Sequence, residues 1–168
     1  MVTAVRVLAI SGSLSATSSN SALVAAAAAS TVGVEVRLWD ELGRLPFFSP
    51  EAEPNEHVDS LRAAIADSDA VWIATPEYAG AMPGGLKNAL DWLVGSGELY
   101  GKRVVIVSAA PSRERGHNAR RSVAEVLAMQ GALVADSFTV AIAASDTPED
   151  VAAKAADALT RVVGALGH

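Results

Sequence analysis

Five short runs rich in β-branched residues, separated by alanine-rich stretches of helical length, constrain this chain more than any other feature. The runs are Val5 to Ile10, Val34 to Leu38, Ala70 to Ala74, Val104 to Val107 and Leu133 to Val140. Helical patterns occupy residues 18–31, 56–67, 84–94, 117–130 and 148–166. The first, third and fourth runs are continuously apolar rather than alternating, which predicts burial on both faces, as in a parallel sheet covered by helices. The expectation is an α/β sandwich with five parallel strands and helices on both sides.

Boundary residues support this parsing. Thr147-Pro148-Glu149-Asp150 reads as a helix cap, a first-turn proline and acids favoured at the positive end of the helix dipole, and Pro83 stands where a helix tolerates a missing N–H. Gly101 and Gly131 mark turns, and residues 44–55, with three prolines, form the one long irregular connection. Repeats, low-complexity linkers and shifts of composition are absent, so residues 1–168 are expected to form a single domain, one large enough to bury roughly 70% of its unfolded surface.

Composition narrows the chemistry. A chain without cysteine has no disulfide, thiolate metal site or thiol redox chemistry, so redox work would need a bound cofactor. The formal charge of −6, with only Arg120 and Arg121 adjacent, argues against a nucleic-acid partner. The longest apolar run, Ala22 to Ala29, is far short of the roughly 20 residues that span a bilayer, and no signal-type segment is seen at the N-terminus. A cytoplasmic protein without a membrane partner is expected. His57, His117 and His168 form no nucleophile–base pattern and are expected at the surface, and no cluster has metal-ligand spacing.

Open α/β sheets bind ligands beyond the carboxyl ends of their strands. The loops at 11–20, 75–82 and 108–117 meet at that edge, and they have the unusual compositions. The first is a nest of Ser13, Ser15, Thr17, Ser18, Ser19 and Asn20 at a helix start, where hydroxyls, backbone N–H groups and the dipole favour a phosphate. It is not a triphosphate loop, because Gly-Lys-Ser/Thr is missing, nor a dinucleotide fingerprint, because Leu14 and Thr17 stand where glycines are required. Asp40 imitates a ribose-binding acid without those glycines. A terminal monophosphate fits best, against the plainer reading of a serine-rich helix cap.

The second loop, Pro76-Glu77-Tyr78-Ala79-Gly80, offers a ring, a carboxylate and small residues that let the backbone approach a flat ligand. The helix start near residue 84 would favour negative charge on such a ligand. Lys87 and Asp91, four apart on the next helix, are placed to pair with each other rather than to catalyse.

With these residues the chain resembles the NAD(P)H-dependent FMN reductases of flavodoxin-like fold, which include quinone, azo-dye and chromate reductases. The resemblance rests on Gly12-Ser13-Leu14 through Ser18 and Asn20, on Leu45-Pro46, on Leu99-Tyr100-Gly101-Lys102, and above all on Thr75-Pro76-Glu77-Tyr78 with Pro83-Gly84-Gly85-Leu86-Lys87-Asn88-Ala89-Leu90-Asp91-Trp92. It implies a three-layer sandwich with strand order 2-1-3-4-5. It also implies an FMN phosphate surrounded by Ser13, Ser15, Ser18, Ser19 and Asn20. The isoalloxazine ring would be bordered by Pro76, Glu77, Tyr78, Ala79, Gly80, Ser108 and Gly116. Hydride would pass from NAD(P)H to flavin N5 and then to a small acceptor in a ping-pong cycle, so no catalytic side chain is expected. The resemblance further implies a homodimer or homotetramer, with Met82, Leu86 and Trp92 as interface candidates that equally fit a core.

Four positions depart from the family pattern. Ser15 and Asn118 replace arginine, Ala79 replaces asparagine and Arg115 replaces glycine. Arg113 or Arg115 is expected to supply the charge lost at Ser15, or to meet the 2′-phosphate of NADPH. Two rival readings are a non-enzymatic flavin-binding electron carrier or sensor, and a phosphate-ester binding protein or hydrolase. The second lacks an acid–base pair.

Overall fold

The computed structural model describes residues 4–30 and 33–167. Strands β1 (Val5–Ser11), β2 (Val34–Trp39), β3 (Ala70–Ala74), β4 (Arg103–Ala110) and β5 (Leu133–Ala141) form one parallel sheet in the order β2-β1-β3-β4-β5. This is the flavodoxin-like order. Helices α1 (Ser19–Ala28), α2 (Glu56–Ala66), α3 (Gly84–Trp92), α4 (His117–Met129) and α5 (Pro148–Ala165) connect and follow the strands.

Two cores hold the layers together. On one face α1 and α5 pack Leu23, Ala27, Ala155 and Leu159 against the sheet's Val7, Trp72 and Val105. On the other, α2, α3 and α4 pack Leu61, Leu86, Leu90 and Leu127 against Leu8, Ile73 and Ile106. Strand β3 is buried at all five positions and β4 at six of eight, as continuous apolar runs require. Each fully buried leucine, isoleucine or valine in these layers contributes about 1.5–3 kcal/mol.

Most element ends fall within one or two residues of the expected ones, and the larger departures have physical reasons. Strand β4 continues past Val107 because Ser108, Ala109 and Ala110 pair with Thr139, Val140 and Ala141 of β5. Cross-strand pairing overrides the weak strand preference of such small residues, and Ser108 therefore stands on a strand end. A 3-10 turn at Leu42–Arg44 precedes the irregular connection. Helix α1 stops at Ala28; residue 31 lies outside the described residues, as does His168. Leu86 and Trp92, offered as interface candidates, are only 1% and 2% exposed and belong to the core. Trp92 also donates its indole N–H to the Pro46 carbonyl at 2.8 Å and meets the Phe48 ring edge-on. The helix caps at Thr147 and Asn55 form as hydrogen-bonded N-caps, the former a complete capping box with Asp150. Among the described residues no helix is long and apolar enough to cross a membrane.

Candidate functional site

The parallel order carries the loops after β1, β3 and β4 to one edge, where the chain's hydroxyls and glycines concentrate. The serine loop leaves β1 at Gly12, whose N–H donates to the Ala74 carbonyl at 2.7 Å. An added Cβ there would lie 2.9 Å from a Leu86 methyl, so only glycine lets the loop pass over α3. Beyond it, the Ser13 hydroxyl accepts from the Ser15 N–H at 3.2 Å, and the Ser15 hydroxyl lies 3.3 Å from that of Thr17. Ser18 caps α1 by accepting from the N–H groups of Asn20 and Ser21. Asn20 has a different task from the one expected. It is buried, its amide donates to the Ala109 carbonyl at 3.1 Å, and its carbonyl accepts from the Ala109 N–H at 2.8 Å. The residue thus ties α1 to the end of β4, beneath the loop.

The second loop turns back on itself. Tyr78 and Ala81 exchange two backbone hydrogen bonds of 3.0 Å, with Ala79 at φ 50° and Gly80 at φ 75° between them. Two left-handed residues inside a closed four-residue turn are the type I′ pattern. The turn leaves the Tyr78 ring half exposed, its hydroxyl 3.5 Å from that of Ser13, so the first two loops touch. Glu77 reaches the other way. Its Oε2 accepts from the N–H groups of Asn118 at 3.0 Å and Ala119 at 3.2 Å, and its Oε1 accepts from the Asn118 amide at 3.4 Å. Helix α4 begins at Gly116 with no side-chain cap of its own, and the Glu77 carboxylate fills that place at the positive end of the dipole.

The third loop is held from two sides. Gly116, at φ 82°, receives the Ser108 hydroxyl on its carbonyl at 3.3 Å, and a Cβ at residue 116 would lie 2.5 Å from that of Ser108. On the β5 side, the Thr139 hydroxyl donates to the Arg115 carbonyl at 2.9 Å, and Arg120 donates to that same carbonyl and to the hydroxyls of Ser137 and Thr139. Burial lowers the Arg120 pKa, and the charge of Glu77 opposes the shift.

Between the second and third loops lies a cavity of about 400 Å³, floored by Thr75, Ser108 and Ala109 and walled by Pro76, Glu77, Arg115, Gly116, His117 and Asn118. It is of ligand size. Glu114, at its rim, is held below the ordinary carboxylate range by hydrogen bonding to Ser112.

The expected residues distribute as follows. Pro76, Glu77, Ser108 and Gly116 line this cavity together with Arg115. Ser13 and Ser15 border a separate cavity of about 500 Å³ on the β2 side of the serine loop. Arg113 lines neither; it edges a groove with Phe138, Lys154 and Arg161. Neither Arg113 nor Arg115 therefore shares a cavity with Ser15, because the loop that carries them is pinned toward β5. Asp40 lines the β2-side cavity. Gly85 lies beside Leu14 and Leu42, and neither it nor Gly84 lines the 400 Å³ cavity. Lys87 and Asp91 pair at 2.7 Å as expected. His117 is exposed at the cavity wall. His57 is not a surface histidine: its side chain is 20% exposed and its Nδ1 lies 2.5 Å from Glu41, a contact that lowers the Glu41 pKa. Among the described residues no group of three or more His, Cys, Asp or Glu is placed to hold a metal ion.

Three participants carry no local signal in the sequence. Thr139 and Arg120 anchor the third loop from β5 and α4, through pairing that joins residues about twenty positions apart. Arg44 reaches the β2-side cavity from a 3-10 turn that no periodicity marks. Asn118, singled out only as a departure, proves to be the Glu77 partner.

A family model described as NADPH-dependent FMN reductase matches residues 5–147. A quinone reductase of Escherichia coli strain K12 is 31% identical over 107 residues, covering 60% of this chain and 57% of that protein. An NADPH azoreductase of Bacillus sp. strain OY1-2 is 36% identical over 97 residues, covering 56% and 54%. The matches thus span little more than half the length of these curated relatives. Among solved structures, FerB of Paracoccus denitrificans, a flavoenzyme NAD(P)H:(acceptor) oxidoreductase, superposes with a TM-score of 0.73 at 26% identity, covering 96% of this chain and 94% of FerB. An azoreductase from Bacillus anthracis strain Sterne shares the fold, with a TM-score of 0.60 at 17% identity and coverage of 94% and 98%.

Proposed function

Because the chain belongs to the NADPH-dependent FMN reductase family, we propose that it is a flavin-dependent oxidoreductase that uses NADH or NADPH to reduce a small acceptor of the quinone or azo class. The observation that carries this reading is the juxtaposition of the three loops. The cavity between Pro76–Glu77 and Ser108–Gly116 opens at the same sheet edge as the hydroxyl-rich loop, and the contact between Tyr78 and Ser13 joins the two.

The residues fit an FMN group. Gly116 packs directly on Ser108, so this wall of the cavity is bare backbone, and Thr75, Ser108 and Ala109 line the cavity beside it. Ser13, Ser15, Ser18 and Ser19 would hold the phosphate, while Pro76, Tyr78, Ala79 and Gly80 would border the ring. When bound, the flavin supplies hydride transfer from a reduced nicotinamide and onward delivery to the acceptor. The protein's own part is positional. Glu77 holds the ring loop to α4, Arg120 and Thr139 hold the opposite loop to β5, and the rigid sheet fixes the distance between them. A nicotinamide and an acceptor would use the same open face in turn.

The test is a fluorescence titration of FMN with the purified protein and with Tyr78→Ala, a change at a half-exposed ring outside both cores. Quenching that saturates in the first and weakens at least tenfold in the second supports the assignment. Equal affinity for both proteins contradicts the placement of the ring.

A further inference from the structure

The serine loop carries no cation, so a phosphate there would be held by hydroxyls, N–H groups and the helix dipole, and a neighbouring cation would add to that hold. The chain has thirteen lysines and arginines. Among the described residues, seven form ion pairs and three more donate to backbone or hydroxyl oxygens. Arg44, Arg113 and Arg115 remain, their guanidinium groups without a hydrogen-bond or ion-pair partner among those residues. Arg113 and Arg115 line spaces on the β4 and β5 side. Arg44 alone lines the cavity bordered by Ser13 and Ser15.

Arg44 also lines a second cavity with Asp40, Glu41, Glu56 and His57, and its charge helps to lower the Glu41 pKa after the larger effect of His57. It stands on the 3-10 turn after β2, and its acidic neighbour Glu41 is engaged elsewhere, by His57 at 2.5 Å and Ser60 at 3.3 Å. Leu42, from the same turn, is buried and packs beside Gly85, which fixes the turn to α3. An arginine on an anchored turn that lines the same cavity of about 500 Å³ as Ser13 and Ser15 is suited to a phosphomonoester.

We propose that Arg44 is the counter-charge for the terminal phosphate of the ligand held by the serine loop. The proposal rests on the flavin reading of the site. Asp40 lines the same cavity and opposes the phosphate, so it limits the affinity that Arg44 confers.

The experiment compares FMN with riboflavin, which differ only in the phosphate, on wild type, Arg44→Gln, Arg44→Lys and Arg113→Gln. Arg44→Gln should weaken FMN by roughly ten- to a hundredfold and leave riboflavin unchanged, as loss of one charge-assisted contact predicts. Arg44→Lys should recover part of the loss, and Arg113→Gln should change neither ligand. An unchanged ratio of FMN to riboflavin affinity in Arg44→Gln overturns the proposal while leaving the flavin site standing. So does a wild type that binds the two flavins equally. A wild type that binds neither flavin removes the functional reading, and this assignment with it.

Discussion

Glu77 caps helix α4 from outside the helix: its Oε2 accepts the backbone N–H of Asn118 at 3.0 Å, and no residue of the helix start competes for that position. The carboxylate joins the second loop to the third across the mouth of the cavity. A single side chain therefore ties local helix stability to the shape of the site.

Glu77→Ala removes that cap and the tether together. Loss of an N-cap costs about 1 kcal/mol, within a range of roughly 0.5–2, and the denaturant midpoint should fall accordingly at unchanged slope. Glu77→Gln keeps an acceptor oxygen without the charge and should lose about half as much, that loss being the charge–dipole contribution of roughly 0.3–1 kcal/mol.

Gly116 and Ser108 form a steric pair. Gly116→Ala places a methyl 2.5 Å from the Ser108 Cβ at a backbone φ of 82°, so both contact and conformation resist it. A loss on the order of 1–3 kcal/mol is expected. Combining it with Ser108→Gly should be less damaging than the sum of the two single changes, a coupling that equilibrium unfolding of the four proteins measures.

Ala79 occupies a left-handed conformation at φ 50° beside Gly80. An L-residue with a Cβ is disfavoured there by about 1–2 kcal/mol relative to its ordinary regions, and asparagine tolerates the region better. Ala79→Asn should raise the stability by up to about 1 kcal/mol and the unfolding midpoint with it. A lower midpoint would show that the turn is not closed as described.

Acid stability follows from carboxylates held below their usual range. The backbone N–H and then the guanidinium of Arg6 lower Asp69, and Arg161 lowers Asp136. A depressed folded-state pKa gives stability that is complete above the unfolded value of 3.8 and is lost as pH falls through the lower folded value. Asp136→Asn should therefore melt below the wild type at neutral pH, and the gap should close as the pH drops from about 4 toward 2. A gap that stays constant over that interval would exclude the linkage.

The layers of this fold are legible in residues such as Val71, Trp72 and Ile73, where an unbroken apolar run can be satisfied only by burial on two faces. The serine loop and the Pro76–Gly80 turn are legible too, because glycine and hydroxyl positions report backbone needs locally. Asn20 has a structural role that its local sequence does not announce. A polar residue after a cap looks like a ligand-binding donor until the topology brings β4 beside it and Ala109 takes both of its hydrogen-bonding ends. Arg113, Arg115 and Arg44 differ in the same way: all three are exposed cations in loops, and only the placement of those loops on opposite sides of β1 separates them. Leu86 and Trp92 show the limit of periodicity, since an apolar helical face reads alike whether it meets a partner subunit or its own sheet.

The most direct test of the account is an anaerobic reduction: the protein loaded with FMN is mixed with NADH or NADPH while flavin absorbance is followed. The account predicts saturable FMN binding and bleaching by at least one of the two nucleotides much faster than in free FMN, with colour restored by a quinone. Saturable binding with bleaching no faster than in free solution would contradict it and point to a carrier or sensor.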